Sequence, residues 1–195
     1  MDESLAYLIG ALRDGSIFYD RASRNYKLIW YQKEPAWLEN SIAPRVEAVF
    51  EKKPKIEEYK TGQFRLLLSS KQAHDTIIKE SDFVSPQERW GTPKKIRVAN
   101  DKIVASYIAG FFDAEGDVDV KNYVAGFSQK NCESLIFIRK WLKKNGVTAG
   151  AIFDADKKSG TLRFFITSKN NFRKFRKLVP FEHPNKTIKL DFLIQ

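Results

Sequence analysis

The sequence predicts an α+β fold made of two pseudo-symmetric αββαββα halves. Two observations carry that expectation. The same order of helical and extended patterns runs twice along 195 residues. Short matching segments also recur at corresponding places: "YQK" at 31–33 parallels "SQK" at 128–130, and "PKK" at 93–95 parallels "PNK" at 184–186. The expected division is residues 1–85, a linker over 86–100 that holds "ERWGTPKKIRVAN", and residues 101–195.

In the first half, Ser4 is expected to cap a helix whose Leu5, Leu8, Ile9 and Leu12 recur at amphipathic spacing, with Gly15 ending it. "SIFYD" and "NYKLIWYQK" read as strands joined by Ser23-Arg24-Asn25. A helix is expected from Pro35 to Lys53, bent or broken at Pro44, which lacks an N–H. "PKIEEYK" and "QFRLLLSS" form a hairpin about Thr61-Gly62, and a helix from Lys71 to Lys79 closes the half. The second half repeats the plan. A helix from Asp101 to Ala114 leads to strands "DVDVK" and "YVAGFSQK" around Asn122. The helix "CESLIFIRKWLKKNG" follows, capped by Asn131 and ended by Gly146. "TAGAIFDA", a turn at "KKSG", the strand "LRFFITS" and the helix "NNFRKFRKLV" complete it. A further helix is expected after each Pro-x-Lys.

Strand alternation assigns faces. Val118 and Val120 read as inward, which turns Asp117, Asp119 and Lys121 outward. Leu28 and Trp30 read as inward, leaving Asn25, Lys27 and Tyr31 on the other face.

Composition narrows the function classes. The chain is 43% hydrophobic and 30% charged, enough for a sizeable core. Lys and Arg total 34 against 24 acids, a net charge of +10. Such a surface suits a polyanion, and counterion release makes nucleic acid the leading partner. Cys132 is the single cysteine, so no intramolecular disulfide forms, and one Cys with two His is a poor basis for structural zinc. His74 and His183 read as ordinary surface residues. The apolar run from Ile103 to Phe112 falls well short of the roughly 20 residues of a membrane span. Asp2 and Glu3 stand where a secretion signal would be basic, so a cytoplasmic, nucleoid-accessible or organellar location is expected.

The stretch "YIAGFFDAEGDV" at 107–118 carries the chemistry. A helix C-terminus with Gly116 as a left-handed cap would explain the glycine. It would not explain Glu115, because a carboxylate in the last turn opposes the helix dipole at a cost of about 0.3–1 kcal/mol. The first half offers Asp14-Gly15 at the matching place. Small residues at Ala6/Gly10 and Ser106/Gly110, one helical turn apart, would let the two helices approach closely. Their ends would then bring Asp14 and Glu115 together. Two carboxylates about 6 Å apart repel by roughly 3 kcal/mol at an effective dielectric of 20. A divalent cation reverses both penalties, and hard oxygen donors suit Mg²⁺.

"IAGFFDAEG" (108–116) closely resembles the nonapeptide that names the LAGLIDADG homing endonucleases, and "YLIGALRDG" (7–15) is a looser match. With the doubled plan, the chain resembles the single-chain, two-motif members of that family. The resemblance implies antiparallel β saddles with the two motif helices packed at the central interface, and a monomer. It also implies Mg²⁺-dependent hydrolysis of both strands of a long, near-palindromic duplex target, leaving 3′ overhangs. Mn²⁺ would substitute, whereas Ca²⁺ would support binding only. Asp14 and Glu115 would hold metal, together with the backbone carbonyls of Arg13 and Ala114. Gln32 and Gln129, from the paired "QK" triplets, and Lys95 and Lys186, from "P-x-K", would act beside them. Asn25, Lys27, Tyr31, Arg65, Asp117, Asp119, Lys121 and Arg163 would face DNA in the major grooves. The first motif departs from the pattern: Ile9 takes the packing-glycine place and Leu12 that of Asp113, which then reads as a helix-end hydrogen-bonding residue. Two other readings share the fold. One is a maturase-like protein that binds intron RNA. The other is a DNA-binding regulator without chemistry, against which the presence of both Asp14 and Glu115 argues.

Overall fold

In a computed structural model, residues 1–83 and 87–195 are described. The first half runs α1 (Glu3–Ala11), a 3₁₀ turn (Leu12–Asp14), β1 (Gly15–Asp20) and β2 (Asn25–Gln32). It continues through α2 (Pro35–Trp37), a π turn (Leu38–Ile42), α3 (Ala43–Phe50), β3 (Lys55–Lys60), β4 (Gln63–Ser69) and α4 (Lys71–Ser81). A 3₁₀ turn (Gln87–Arg89) and α5 (Lys94–Arg97) lie within the expected linker. The second half is α6 (Asp101–Glu115), β5 (Gly116–Asp119), β6 (Val124–Gln129), α7 (Cys132–Lys144), β7 (Phe153–Asp156), β8 (Thr161–Thr167), α8 (Lys169–Leu178) and α9 (Pro184–Ile194). The expected boundary between residues 85 and 86 lies outside the described residues. No described helix is long and apolar enough to cross a membrane.

The strands form two four-stranded antiparallel sheets, β1-β2-β4-β3 and β5-β6-β8-β7. The duplication extends to irregularities, since each outer pairing shifts register at the same place, between Glu58 and Lys60 and between Asp154 and Asp156. Alternation places Val118, Leu28 and Trp30 in the core. Val120 is only partly buried, and Ile29, on the face of Lys27 and Tyr31, is buried too.

Local chemistry accounts for departures from the sequence reading. Asp2, not Ser4, caps α1, its carboxylate accepting from Leu5 N at 2.8 Å. The long helix expected from Pro35 is interrupted by the π turn just ahead of Pro44. That turn absorbs the missing N–H, and Pro44 sits in the first turn of α3, where no intrahelical donor is needed. Gly116 is not a left-handed cap, because its φ is −81°. A Cβ there would strike the Phe112 ring, so close approach requires the glycine.

Helices α1 and α6 cross at the centre and are buried over most of their length, Leu5–Ala11 and Val104–Asp113, so they are apolar on nearly every face. At the crossing, a Cβ on Gly10 would meet Tyr107 O and one on Gly110 would meet Tyr7 O, both at 2.1 Å. Gly10 and Gly110 are therefore equivalent, and Ile9 is not the packing position. Arg13, not Leu12, is the counterpart of Asp113. The one-residue difference between Asp14 and Glu115 is taken up by the 3₁₀ turn that ends α1.

Candidate active site

The ends of α1 and α6 are tied down by side chains that mirror each other with opposite charge. Asp113 is fully buried and accepts from the Tyr7 hydroxyl and from the backbone of Glu182 and His183, at 2.8 and 2.9 Å. Trp37 Nε1 donates in turn to the Tyr7 oxygen at 2.9 Å. Arg13, 3% exposed, donates to the carbonyls of Trp90 and Gly91 at 2.6 and 2.8 Å and to the Tyr107 hydroxyl at 2.9 Å. Each motif thus bonds the tyrosine of the opposite helix and the segment closing its own half. Burial raises the Asp113 carboxyl to about 6, against the lowering effect of its hydrogen bonds. Burial beside Asp113 pushes the Tyr7 hydroxyl well above its ordinary range.

With both helix ends fixed, Asp14 and Glu115 are partly buried and within each other's field. Burial raises Asp14 to about 6, an effect moderated by the Lys186 ammonium. Burial, then the Asp14 charge, raises Glu115 to about 7, with Lys186 and Arg13 opposing. These are carboxylates short of positive charge. Each opens on its own cavity. One, of about 310 Å³, is lined by Glu115 with Arg13, Gln87, Glu88, Gln129 and Lys130. The other, of about 240 Å³, is lined by Asp14 with Tyr31, Gln32, Lys33 and Gln63. Gln32 and Gln129 are therefore brought to the carboxylates in matching positions, each side-chain oxygen accepting from the next residue's N–H, at 2.9 and 2.8 Å.

The two lysines part company. Lys186 Nζ donates to the carbonyls of Phe112 and Asp113 at 2.8 and 2.6 Å, with Ala114 O at 3.5 Å. Burial lowers its ammonium to about 8, while Asp113, Asp117, Asp14 and Glu115 support the charged form. Lys95 instead pairs with Glu80 at 2.7 Å on an exposed face. The corresponding work in the first half falls to Gln87, whose amide donates to Arg13 O at 2.8 Å and Gly15 O at 3.1 Å, with Leu12 O at 3.5 Å. Sequence reasoning missed Gln87 because nothing in its local pattern shows a side chain bound for a distant helix end. Arg13 was legible only through the Gly10–Gly110 equivalence. His183 is not a surface residue. It is 5% exposed, and desolvation lowers its imidazole to about 4. His74 is partly exposed, beside Asp75 and the Tyr26 ring.

Several of the expected DNA-facing residues are already engaged with neighbours. Lys27 bonds Asp20 at 2.5 Å, and Arg65 bonds Glu57 on β3 through Nε and Nη2. Arg163 pairs with Asp117 on β5 and lies over the Phe165 ring. Gly126, on the strand between, leaves them room. Tyr31 packs near Tyr59. Asp119 accepts from Asn122 N and Nδ2, so it shapes the β5–β6 turn, in which Lys121 is exposed. Asn25 is exposed at the start of β2.

A duplicated αββαββα chain whose glycine-packed central helices each lead into a desolvated carboxylate defines one class of protein, and this chain belongs to it: the LAGLIDADG homing endonuclease family. A family model described as a LAGLIDADG-like domain matches residues 102–180. Over 197 residues the chain is 34% identical to homing endonuclease I-ApeI of Aeropyrum pernix, covering 98% of this chain and 87% of the relative. In fold it is similar to a glycine-to-serine variant of I-DmoI in complex with its target DNA in the presence of Mg. That likeness has a TM-score of 0.73 and 23% identity over 93% of this chain and 97% of the other. It is also similar in fold to full-length DUF199/WhiA from Thermatoga maritima, with a TM-score of 0.61 and 16% identity over 98% of this chain and 59% of that one.

Proposed function

We propose that the chain is a site-specific endonuclease that cuts both strands of a DNA duplex with the help of a divalent metal. The observation that carries this is the pairing of Asp14 and Glu115, two desolvated carboxylates at the neighbouring ends of the α1 and α6 segments, opening on matched cavities with Gln32 and Gln129. Family membership supports it. The donor set fits Mg²⁺ or Mn²⁺: two hard carboxylates, with the carbonyls of Arg13 and Ala114 beside them, leave positions for water and phosphate oxygen. Among the described residues no third acidic, histidine or cysteine ligand joins them, which suits a site completed by its substrate. A bound cation would lower the pKa of the attacking water and stabilise the leaving oxygen.

Asp14 and Glu115 would hold the cation, and each must be deprotonated to do so. Gln32 and Gln129 orient water at the two strands through their amide groups. Lys186 holds the end of α6 and offers positive charge to the phosphate. Lys95 is left outside this machinery, since Gln87 reaches the carbonyls that correspond to those held by Lys186, and Lys95 turns to Glu80 instead. The two sheets lie along successive major grooves of one duplex, with Asn25, Lys27, Tyr31, Arg65, Asp117, Asp119, Lys121 and Arg163 on the DNA side. Because the halves differ at these positions, the target is long and near-symmetric but not palindromic. One chain, divided at 1–85, 86–100 and 101–195, supplies both half-sites, so the protein acts as a monomer; family membership supports cuts that leave 3′ overhangs. Selection of cleaved molecules from a randomised duplex library with Mg²⁺ tests this. One long recovered target supports it, whereas binding without cutting, or retention of RNA in preference to duplex DNA, would overturn it.

A further inference from the structure

The two sheets align residue by residue on Gln32 and Gln129, which pair with Phe64 and Leu162. Counting back along the paired strands makes Arg65 the equivalent of Arg163, Ile29 of Gly126, Ser16 of Asp117 and Glu57 of Phe153. Alternation puts all of them on the sheet face opposite Trp30 and Phe127. The arginine is common to both halves, but its acid has changed sides. In the first half it stands on the outermost strand, where Glu57 accepts from Arg65 Nε at 2.8 Å. In the second half it stands on the strand that leaves the motif helix, where Asp117 accepts from Arg163.

Arg163 must cross β6 to reach Asp117. A side chain at 126 would stand in the way, since a Cβ there would lie 3.0 Å from Asp117 Oδ1 and 3.1 Å from Arg163 Nε. In the first half Ile29 fills that place, Ser16 offers no charge, and Arg65 turns outward. We infer that Gly126 is a specificity-determining position: it lets Arg163 lean across β6, so the two equivalent arginines read base pairs that are not related by the symmetry of the fold. The inference deepens the endonuclease reading above and rests on it. Neighbouring strands lie about 4.8 Å apart. Arg163 leans about one spacing towards β5 and Arg65 about half a spacing towards β3, so with the halves superposed their guanidiniums stand roughly 7 Å apart. That exceeds the rise of about 3.4 Å between base pairs. Asp117 holds one edge of the Arg163 guanidinium, and the planar fork has another for O6 and N7 of a guanine. The same carboxylate repels backbone phosphate, which favours a base as the target.

The test measures affinity in Ca²⁺ for the selected duplex and for duplexes that each change one base pair. Arg163→Ala should erase a discrimination of about 5- to 150-fold at one G·C pair under the second sheet, and leave the ratios at other positions as in wild type. Gly126→Ile should erase it at that same pair. Gly126→Ala, which asks its neighbours to give by a few tenths of an ångström, should reduce it less. The atoms met at 126 are side-chain atoms of Asp117, Phe165 and Arg163, not backbone, and Ile29 already occupies the equivalent place, so these variants keep the sheet. Preferences under the first sheet should stay as in wild type. A uniform loss of affinity across all duplexes in Arg163→Ala would make the guanidinium a phosphate contact. Full discrimination at its pair in Gly126→Ile would free Arg163 from residue 126. Either result overturns the inference. A wild-type protein that prefers no duplex sequence would instead overturn the endonuclease reading.

Discussion

Gly110→Ala adds one methyl group at the point where the two central helices touch. Its Cβ would lie 2.1 Å from Tyr7 O and 2.8 Å from Ala11 N, both backbone atoms of the facing helix. An unstrained carbon–oxygen approach is about 3.3 Å, so the helices must part by roughly 1.2 Å along that line. A gap of about 0.5–1 Å already forfeits a quarter to a half of each neighbouring dispersion contact. Overpacking typically costs about 1–3 kcal/mol, and backbone on the far side puts this case at the upper end. At about 2–4 °C per kcal/mol for a chain of this size, Tm should fall by roughly 6–12 °C. Cleavage should fall further, because moving Glu115 about 1 Å from Asp14 is enough to cost on the order of 100-fold. Thermal unfolding, and cleavage measured well below the lowered Tm, read the two effects separately. Gly150→Ala is the control, since its Cβ would sit 3.6 Å from Phe165 O in ordinary contact. A Gly110→Ala protein within about 2 °C of wild type that still cuts at full rate would refute the reasoning.

Other perturbations read other parts of the molecule. Asp113→Ala strands the Tyr7 hydroxyl and two backbone N–H groups, at about 1–3 kcal/mol for each donor left unsatisfied, so Tm should fall sharply. A Tm near wild type would mean the network carries little. Asp14 and Glu115 are raised to about 6 and about 7, so between roughly pH 4 and 7 the native state holds protons the unfolded chain has released. Metal-free stability should therefore fall as pH rises through that window. The Tm gain from Mg²⁺ should be larger near pH 8 than near pH 6, and an equal gain at both would contradict the assignment. Duplex binding in Ca²⁺ should weaken steeply with salt, and a flat response would argue against phosphate contacts.

Much of the fold was legible because the helix period, the strand alternation and the turn residues agreed twice over. The carboxylates stood out for a related reason: a charge at the unfavourable end of an apolar helix needs an explanation, and two such ends needed the same one. What escaped depended on three-dimensional register. The loose first motif was misaligned by one residue because the 3₁₀ turn that absorbs the difference leaves no mark in the sequence. That error hid the equivalence of Arg13 and Asp113, which have opposite charges yet do the same mechanical work. Lys95 matched Lys186 in sequence context, but the acid that captures it, Glu80, lies on the preceding helix. Gln87 fills the place that the triplet assigned to Lys95. His183 looked like a surface residue until α9 folded back and buried it beside Trp37.

Asp14 and Glu115 would jointly hold the divalent metal with which the chain cuts DNA. Asp14→Asn and Glu115→Gln keep the shape of each side chain and remove its charge. On the selected duplex, strand cleavage in Mg²⁺ should be lost in both variants, while affinity in Ca²⁺ stays close to that of wild type. Cleavage at wild-type rates in either variant, or loss of binding with cleavage intact, would contradict the account.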